Sequence, residues 1–188
     1  KEGVVRQVLG WREFMRPVHK YTDGFRWHPE TAEEADRVSS STTTLDQPDD
    51  GGWSHWRGES WMSPVSDLDE LDGGATPDFL DSDTSLPPAF WGETSGLECL
   101  DEVAESVGEE GWSHHITRLM VLSNIATMLG VDPREVTDWF WSVYIDAFDW
   151  VVEPNVLGMG TFGLGEYFTT KPYVSGSNYI DDMSDYCE

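Results

Sequence analysis

Between Glu30 and about residue 85 the chain has almost nothing with which to build a core. The stretch from Glu30 to Asp83 carries 15 acidic residues against two basic ones, Arg37 and Arg57, with SSSTTTLDQPDDGG at its heart. Low hydrophobicity combined with high charge leaves too little apolar surface to offset chain entropy, so the segment reads as a disordered, solvated insertion. Trp53, Trp56 and Trp61 can dock it only locally. The fold therefore falls to residues 1–29 and 86–188.

Those flanking parts read as mainly helical, with no strand alternation. Val4, Val8, Trp11 and Met15 recur at near-helical spacing within Val4 to Val18. Leu86 to Ala89 enter extended, and Phe90 and Trp91 are expected to be buried. Thr94 or Ser95 can cap a helix carrying Cys99, Leu100, Val103 and Val107. A central helix from about Trp112 to Leu129 is closed by Gly130. Asp132, Pro133 and Glu135 form a strong start for the next helix, which is expected to reach about Trp150. Asp146 and Asp149 then fall near its C-terminus, where the helix dipole disfavours carboxylates and cationic partners are expected. Glu153 to Tyr179 is rich in glycine and aromatic residues and reads as a long ordered loop.

Charge and cysteine content limit the partners. The formal charge is −25, from 36 acidic and 11 basic residues. In dilute salt such a surface repels nucleic acid, because phosphate binding depends on clustered Lys and Arg. The same acidity also reads as halophilic adaptation. At molar salt the Debye length is only about 3 Å, and acidity no longer excludes DNA. No apolar run approaches the roughly 20 residues a membrane span needs. Cys99 and Cys187 make no disulfide framework and point to a reducing cytoplasm. The opening on Lys1 and the close on Glu188 suggest a piece of a longer protein.

The chemistry concentrates in GWSHHITRLM, Gly111 to Met120. At three and four residues' separation, His115 and His114 can share a helix side with Arg118. Histidine exchanges protons near neutral pH, and arginine is a permanent fork of donors for an anion. An arbitrary histidine pair is more often a surface feature, but the neighbouring motifs change the odds.

GWREF at Gly10 to Phe14, FWGET at Phe90 to Thr94 and HHITRLMVLSN at His114 to Asn124 are followed in order by VDPREVTDWF, DAFDWV, PNVLGMG, TKPY and MSDYC. Together they resemble the C-terminal flavin-binding part of the photolyase/cryptochrome superfamily. The branch they most resemble is the prokaryotic iron–sulfur (6-4) photolyases, or deoxyribodipyrimidine photolyase-related proteins. The resemblance covers nearly everything outside the acidic insertion. It implies an all-α domain holding FAD, with residues 1–29 and 86–188 as its two parts.

The resemblance also implies roles for individual residues. Arg118 matches an arginine that pairs with an aspartate beside the flavin ring, and Asp146 matches that aspartate. Arg12, Asn155 and Lys171 match further cofactor-side positions, and Trp11 matches a tryptophan facing the lesion pocket. His114 and His115 match the pair that (6-4) repair requires, with His115 as the essential acid and His114 as its helper. Trp139 matches the flavin-proximal tryptophan of photoreduction, with Trp91 and Tyr179 as further electron-transfer candidates. Cys99 and Cys187 match two of the four cysteines of a [4Fe–4S] cluster, which this chain alone is not expected to retain. A lumazine-type antenna would belong to an N-terminal domain outside this sequence. His19-Lys20, Pro17 and Phe140 depart from the family's usual residues. The acid that usually follows DWV directly is displaced: Val152 comes first and Glu153 second.

The leading expectation is a light-driven lyase that acts on (6-4) photoproducts in UV-damaged DNA, as a monomer and as part of a longer protein. The damaged dinucleotide would have to leave the duplex stack. One rival is a cryptochrome-like photoreceptor with the same flavin and a signalling partner. Another is a helical interaction domain without flavin, in which Arg118 and Asp146 are an ordinary buried ion pair.

Overall fold

The computed structural model describes residues 2–22, 24–25 and 74–186. Residues 1–26 and 75–188 make one compact unit. Most of the acidic segment, with Trp53, Trp56 and Trp61, lies outside the described residues. The described part of that segment, from Ala75 onward, belongs to the helical unit. Ala75 is buried in its core, and the Phe79 ring meets Phe162 edge-on at 5.3 Å. Composition places this stretch with the acidic run because Asp78, Asp81 and Asp83 outweigh its few apolar anchors.

The unit is all-helical. Helix α1, residues 2–21, runs from Glu2–Val5 through a wider π-type turn at Arg6–Trp11 into Arg12–Tyr21. Its expected apolar stripe is only half buried: Met15 is enclosed, while Val4 and Val8 face solvent. Helix α2, Glu98–Glu110, lacks a side-chain cap from Thr94 or Ser95. Asp101 instead turns back and accepts from the backbone N–H groups of Ser95 and Gly96 at 2.9 and 3.2 Å. Helix α3, residues 115–128, holds a π-type segment at Arg118–Ser123 and closes at Gly130.

Helix α4, Pro133–Val143, begins as its sequence dictates: Asp132 accepts from the Arg134 N–H at 2.7 Å, and Pro133 opens the first turn. It ends earlier than periodicity predicts. Tyr144 turns extended (φ −100°, ψ 130°), and a turn carries the chain to helix α5, residues 149–160. Asp146 thus lies in the turn, not on a helix end. Asp149 opens α5, where the dipole favours its charge. The stretch read as loop from Glu153 is also helical as far as Gly160. Its glycines serve close packing. A Cβ on Gly160 would sit 2.7 Å from Ser123 Oγ and 2.9 Å from Ser123 Cβ. Gly160→Ala is therefore expected to cost about 1–3 kcal/mol by overpacking, read as a lower denaturant midpoint at unchanged m. Helix α6, Ser177–Met183, closes the described chain.

Two apolar clusters hold these elements. One joins Leu100, Val103 and Val107 of α2 to Leu122 and Ile125 of α3, Val136 and Trp139 of α4, and Val156 of α5. The other gathers Met15 of α1, Leu119 of α3, and Leu157 and Met159 of α5 around Phe25 and Phe168. Full burial of one such leucine is worth about 1.5–3 kcal/mol. Beside the first cluster, Thr84 pairs its backbone in parallel with Val131, exchanging bonds of 2.9 Å with Gly130 and Asp132. This is the one strand-like contact among the described residues. Helices α3 and α5 contribute to both clusters, and the site lies between them.

Candidate functional site

A cavity of about 410 Å³ opens where the two clusters meet, a volume within the ordinary range for ligand sites. Leu119, Phe140, Val152, Val156 and Met159 supply its apolar wall. His114, His115, Arg118, Asp146 and Asn155 supply its titratable and amide groups, beside the hydroxyls of Ser113, Ser123 and Tyr144. Five residues singled out from the sequence are thus brought together, from three separate stretches of chain.

The turn before α3 sets the histidines. Gly111 ends α2 in the left-handed region (φ 63°), and the chain runs extended to His114. His114 caps α3 with its side chain, Nδ1 accepting from the Ile116 N–H at 3.1 Å. Nδ1 is therefore committed as an acceptor, and the proton of the neutral ring resides on Nε2. His115 begins the helix. Desolvation in the cavity wall, then the charges of Arg118 and His114, hold it below the usual histidine value. It is largely neutral at pH 7.

Arg118 projects from the second turn of α3 and is held on every side. Its Nη1 and Nη2 donate to the two Asp146 oxygens at 2.9 and 3.1 Å, a bidentate pair. Its Nε donates to the Ser113 carbonyl at 2.9 Å. Its guanidinium carbon lies 4.0 Å from the Tyr144 ring centroid. Asn155 is fixed at both ends: Nδ2 donates to the Val151 carbonyl at 2.7 Å, and Oδ1 accepts from the Trp11 indole at 3.2 Å. Trp11 therefore stands behind Asn155, not in the cavity lining.

The remaining candidates lie elsewhere. Arg12 is exposed and lies over the Trp150 ring, 5.0 Å from its centroid. Lys171 is exposed in the loop before α6, and Tyr179 is half-buried on α6; neither lines the cavity. Trp139 is buried, donates to the Phe90 carbonyl at 3.0 Å, and packs edge-on against Phe140 and Tyr144. Both of those rings line the cavity, so Trp139 stands one aromatic layer behind it. Trp91 is not buried as the sequence suggests. It is 64% exposed and borders, with Trp139, a separate cleft beside α4. The short turn Pro88–Trp91 needs only Ala89 and Phe90 to anchor it.

Cys99 is half-buried on α2 and packs on the first cluster, as does Tyr186. Cys187 lies outside the described residues. Among the described residues no group of three or more His, Cys, Asp or Glu side chains is placed to hold a metal ion. Nor is any helix among them long and apolar enough to cross a membrane.

The displaced acid of α5 has a definite place. Val152 lines the cavity, while Glu153 turns away and accepts from Arg134 Nη1 at 2.8 Å. Arg134 also reaches Asp138 Oδ1 through Nε at 2.8 Å and the Ala75 carbonyl at 3.1 Å. Burial works against the charge of Arg134, but Glu153 and Asp138 beside it hold its pKa above the usual value. Burial pushes Glu153 upward despite Arg134, and its Oε2 has no partner. Sequence reasoning also missed Trp112, Ser113 and Tyr144 in the site. Ser113 and Tyr144 become visible only once α4 is known to stop at Val143.

No protein-family model matches the chain. It is 32% identical over 187 residues, its whole length, to a (6-4) photolyase of Agrobacterium fabrum. A 65-residue stretch is 42% identical to an uncharacterised protein of Acanthamoeba polyphaga mimivirus. The aligned residues span 27% of the photolyase and 53% of the viral protein. The likeness to the photolyase runs through the whole of this chain and about a quarter of that relative.

Proposed function

We propose that this chain is the flavin-holding part of a light-driven DNA repair lyase acting on (6-4) photoproducts, active within a longer protein. The convergence of His114, His115, Arg118, Asp146 and Asn155 on one cavity carries the reading. The residues present fit the ring end of FAD. Apolar side chains line the same cavity as the Asp146 carboxylate, the Asn155 amide and Arg118, which has two N–H groups left over after three are used. Reduced FAD, when bound, supplies the light-driven electron for the lesion.

This chain's own residues then orient and move protons. Arg118 and Asp146, clamped to each other, would hold the polar edge of the ring system, with Asn155 fixed beside them by Trp11. The apolar wall would shed water when the ring system seats against it. His115, open to the cavity, would donate the proton that lets the hydroxyl return to its original base. His114 would support it from Nε2, since Nδ1 is held by the helix cap. A [4Fe–4S] cluster would draw on Cys99 and Cys187 with ligands from outside this chain. The acidity supports function at high salt, with DNA reached through screened charges.

Because His115 titrates below about 6.5, its acid form is scarce at neutral pH and grows as pH falls. The quantum yield of repair is therefore expected to rise from pH 8 to pH 6. A yield that falls over that range would contradict His115 as the donor. The fold pulls the other way: a depressed histidine contributes stability above its unfolded pKa and loses it as pH falls.

A further inference from the structure

We infer that Tyr144, which nothing in the sequence singles out, is a positioning residue that fixes the plane of Arg118 and the register of Asp146. The inference rests on the flavin reading only for what the pair binds, not for how it is held.

Three contacts close a triangle. The Tyr144 hydroxyl lies 2.7 Å from Ser113 Oγ, Arg118 Nε donates to the Ser113 carbonyl at 2.9 Å, and Arg118 lies on the Tyr144 ring at 4.0 Å. Hydrogen bonds lying in the guanidinium plane set its position but resist tilting out of that plane only weakly. A ring against its face removes that freedom. Tyr144 can serve because it is itself immobile. It is 5% exposed, stacks on Phe140 at 5.1 Å with 19° between planes, and meets Trp139 edge-on at 6.0 Å.

Backbone geometry links the ring to the carboxylate. Tyr144 is where α4 breaks into extended conformation, and the Ile145 N–H donates to the Gly111 carbonyl at 2.9 Å. Asp146 follows directly in that pinned turn. One tyrosine thus supplies the face that orients the arginine and starts the turn that presents its partner. The hydroxyl serves as an anchor and not as an acid: desolvation pushes its pKa up to about 12.

The test uses the full-length protein with Tyr144→Phe, which keeps the ring, and Tyr144→Leu, which removes it. The first readout needs no flavin: the Arg118 Nε–H resonance, expected to be ring-shifted by Tyr144 and protected from exchange by its bond to Ser113. It is expected to persist in Tyr144→Phe and to collapse toward a solvent-like position in Tyr144→Leu. The second readout is FAD affinity. Loss of a partly buried cation–π contact and its alignment is expected to weaken FAD about tenfold in Tyr144→Leu, with Tyr144→Phe within about twofold of wild type. In an Arg118→Met background, Tyr144→Leu should add little further loss, which a merely structural role would not produce. An unmoved Arg118 resonance in a folded Tyr144→Leu protein overturns the proposal, as does unchanged FAD affinity. A shifted resonance in a protein that takes up no FAD even as wild type supports the positioning role and overturns the flavin reading instead.

Discussion

Arg118→Ala is expected to give a folded protein that has lost FAD. Three acceptor oxygens and a ring contact hold this guanidinium, yet the pair contributes little to folding. The Arg118 side chain is 20% exposed and the Asp146 side chain 46%, so solvent screens their attraction. An ion pair of that kind is worth about 1 kcal/mol. The loss for a ligand is larger, because the variant leaves Asp146 as an uncompensated carboxylate on the cavity wall. The charge-assisted bonds proposed for Arg118 to the ring edge would be lost with it. FAD affinity is expected to fall about a hundredfold, by the roughly 1.4 kcal/mol per factor of ten that governs binding. Equilibrium dialysis with the flavin spectrum as readout checks this, with circular dichroism to establish the fold. A folded wild type without flavin would favour a helical interaction domain.

Arg134→Ala should have the largest effect on stability. Arg134 joins α4, α5 and the chain entering from the acidic segment through Asp138, Glu153 and the Ala75 carbonyl. Its side chain and that of Glu153 are 10% and 7% exposed, so little water replaces a lost partner. Breaking a buried pair from one side costs about 3–5 kcal/mol, a fall in Tm on the order of 10 °C for a domain of this size. The pH response identifies the cause. Glu153 has a folded-state pKa raised by burial, so its contribution to stability is present below the unfolded value of about 4.5. That contribution is lost as pH rises through the folded value. Without Arg134 the penalty on the ionised form grows, so the variant should lose more stability than wild type between pH 5 and pH 8. Arg134→Ala with Glu153→Leu should recover much of the loss, since an apolar pair leaves no orphaned charge.

The sequence was most informative where local chemistry decides the structure. Asp132-Pro133 starts α4, Gly130 ends α3, and the three-residue step from His115 to Arg118 follows from helical geometry. Its limits lie where tertiary contacts decide. Residues Tyr144 to Phe148 fit a continued helix by periodicity, but the Gly111–Ile145 backbone bond and the buried Tyr144 ring break it. Glycines 158 and 160 resemble loop residues, but they sit in a helix packed too tightly for a Cβ. Residues 75–85 read as part of an acidic tract because few apolar side chains anchor them, and the carbonyl that Arg134 holds leaves no trace in composition. Within the site, Arg118, Asp146 and both histidines were legible through the resemblance. Tyr144 and Ser113 were not, because their role is a contact between chain segments about 30 residues apart.

The central claim is light-driven repair with a histidine proton, and one measurement addresses it most directly. The full-length protein, in molar salt with reduced FAD, is given an oligonucleotide carrying one (6-4) lesion under blue light and in darkness. The account predicts repair in light by wild type, none in darkness, and a loss of at least about a hundredfold in His115→Ala, on the order of what general acids contribute. A flavin-loaded, photoreducible wild type that leaves the lesion intact would contradict it and move the protein to the photoreceptor class.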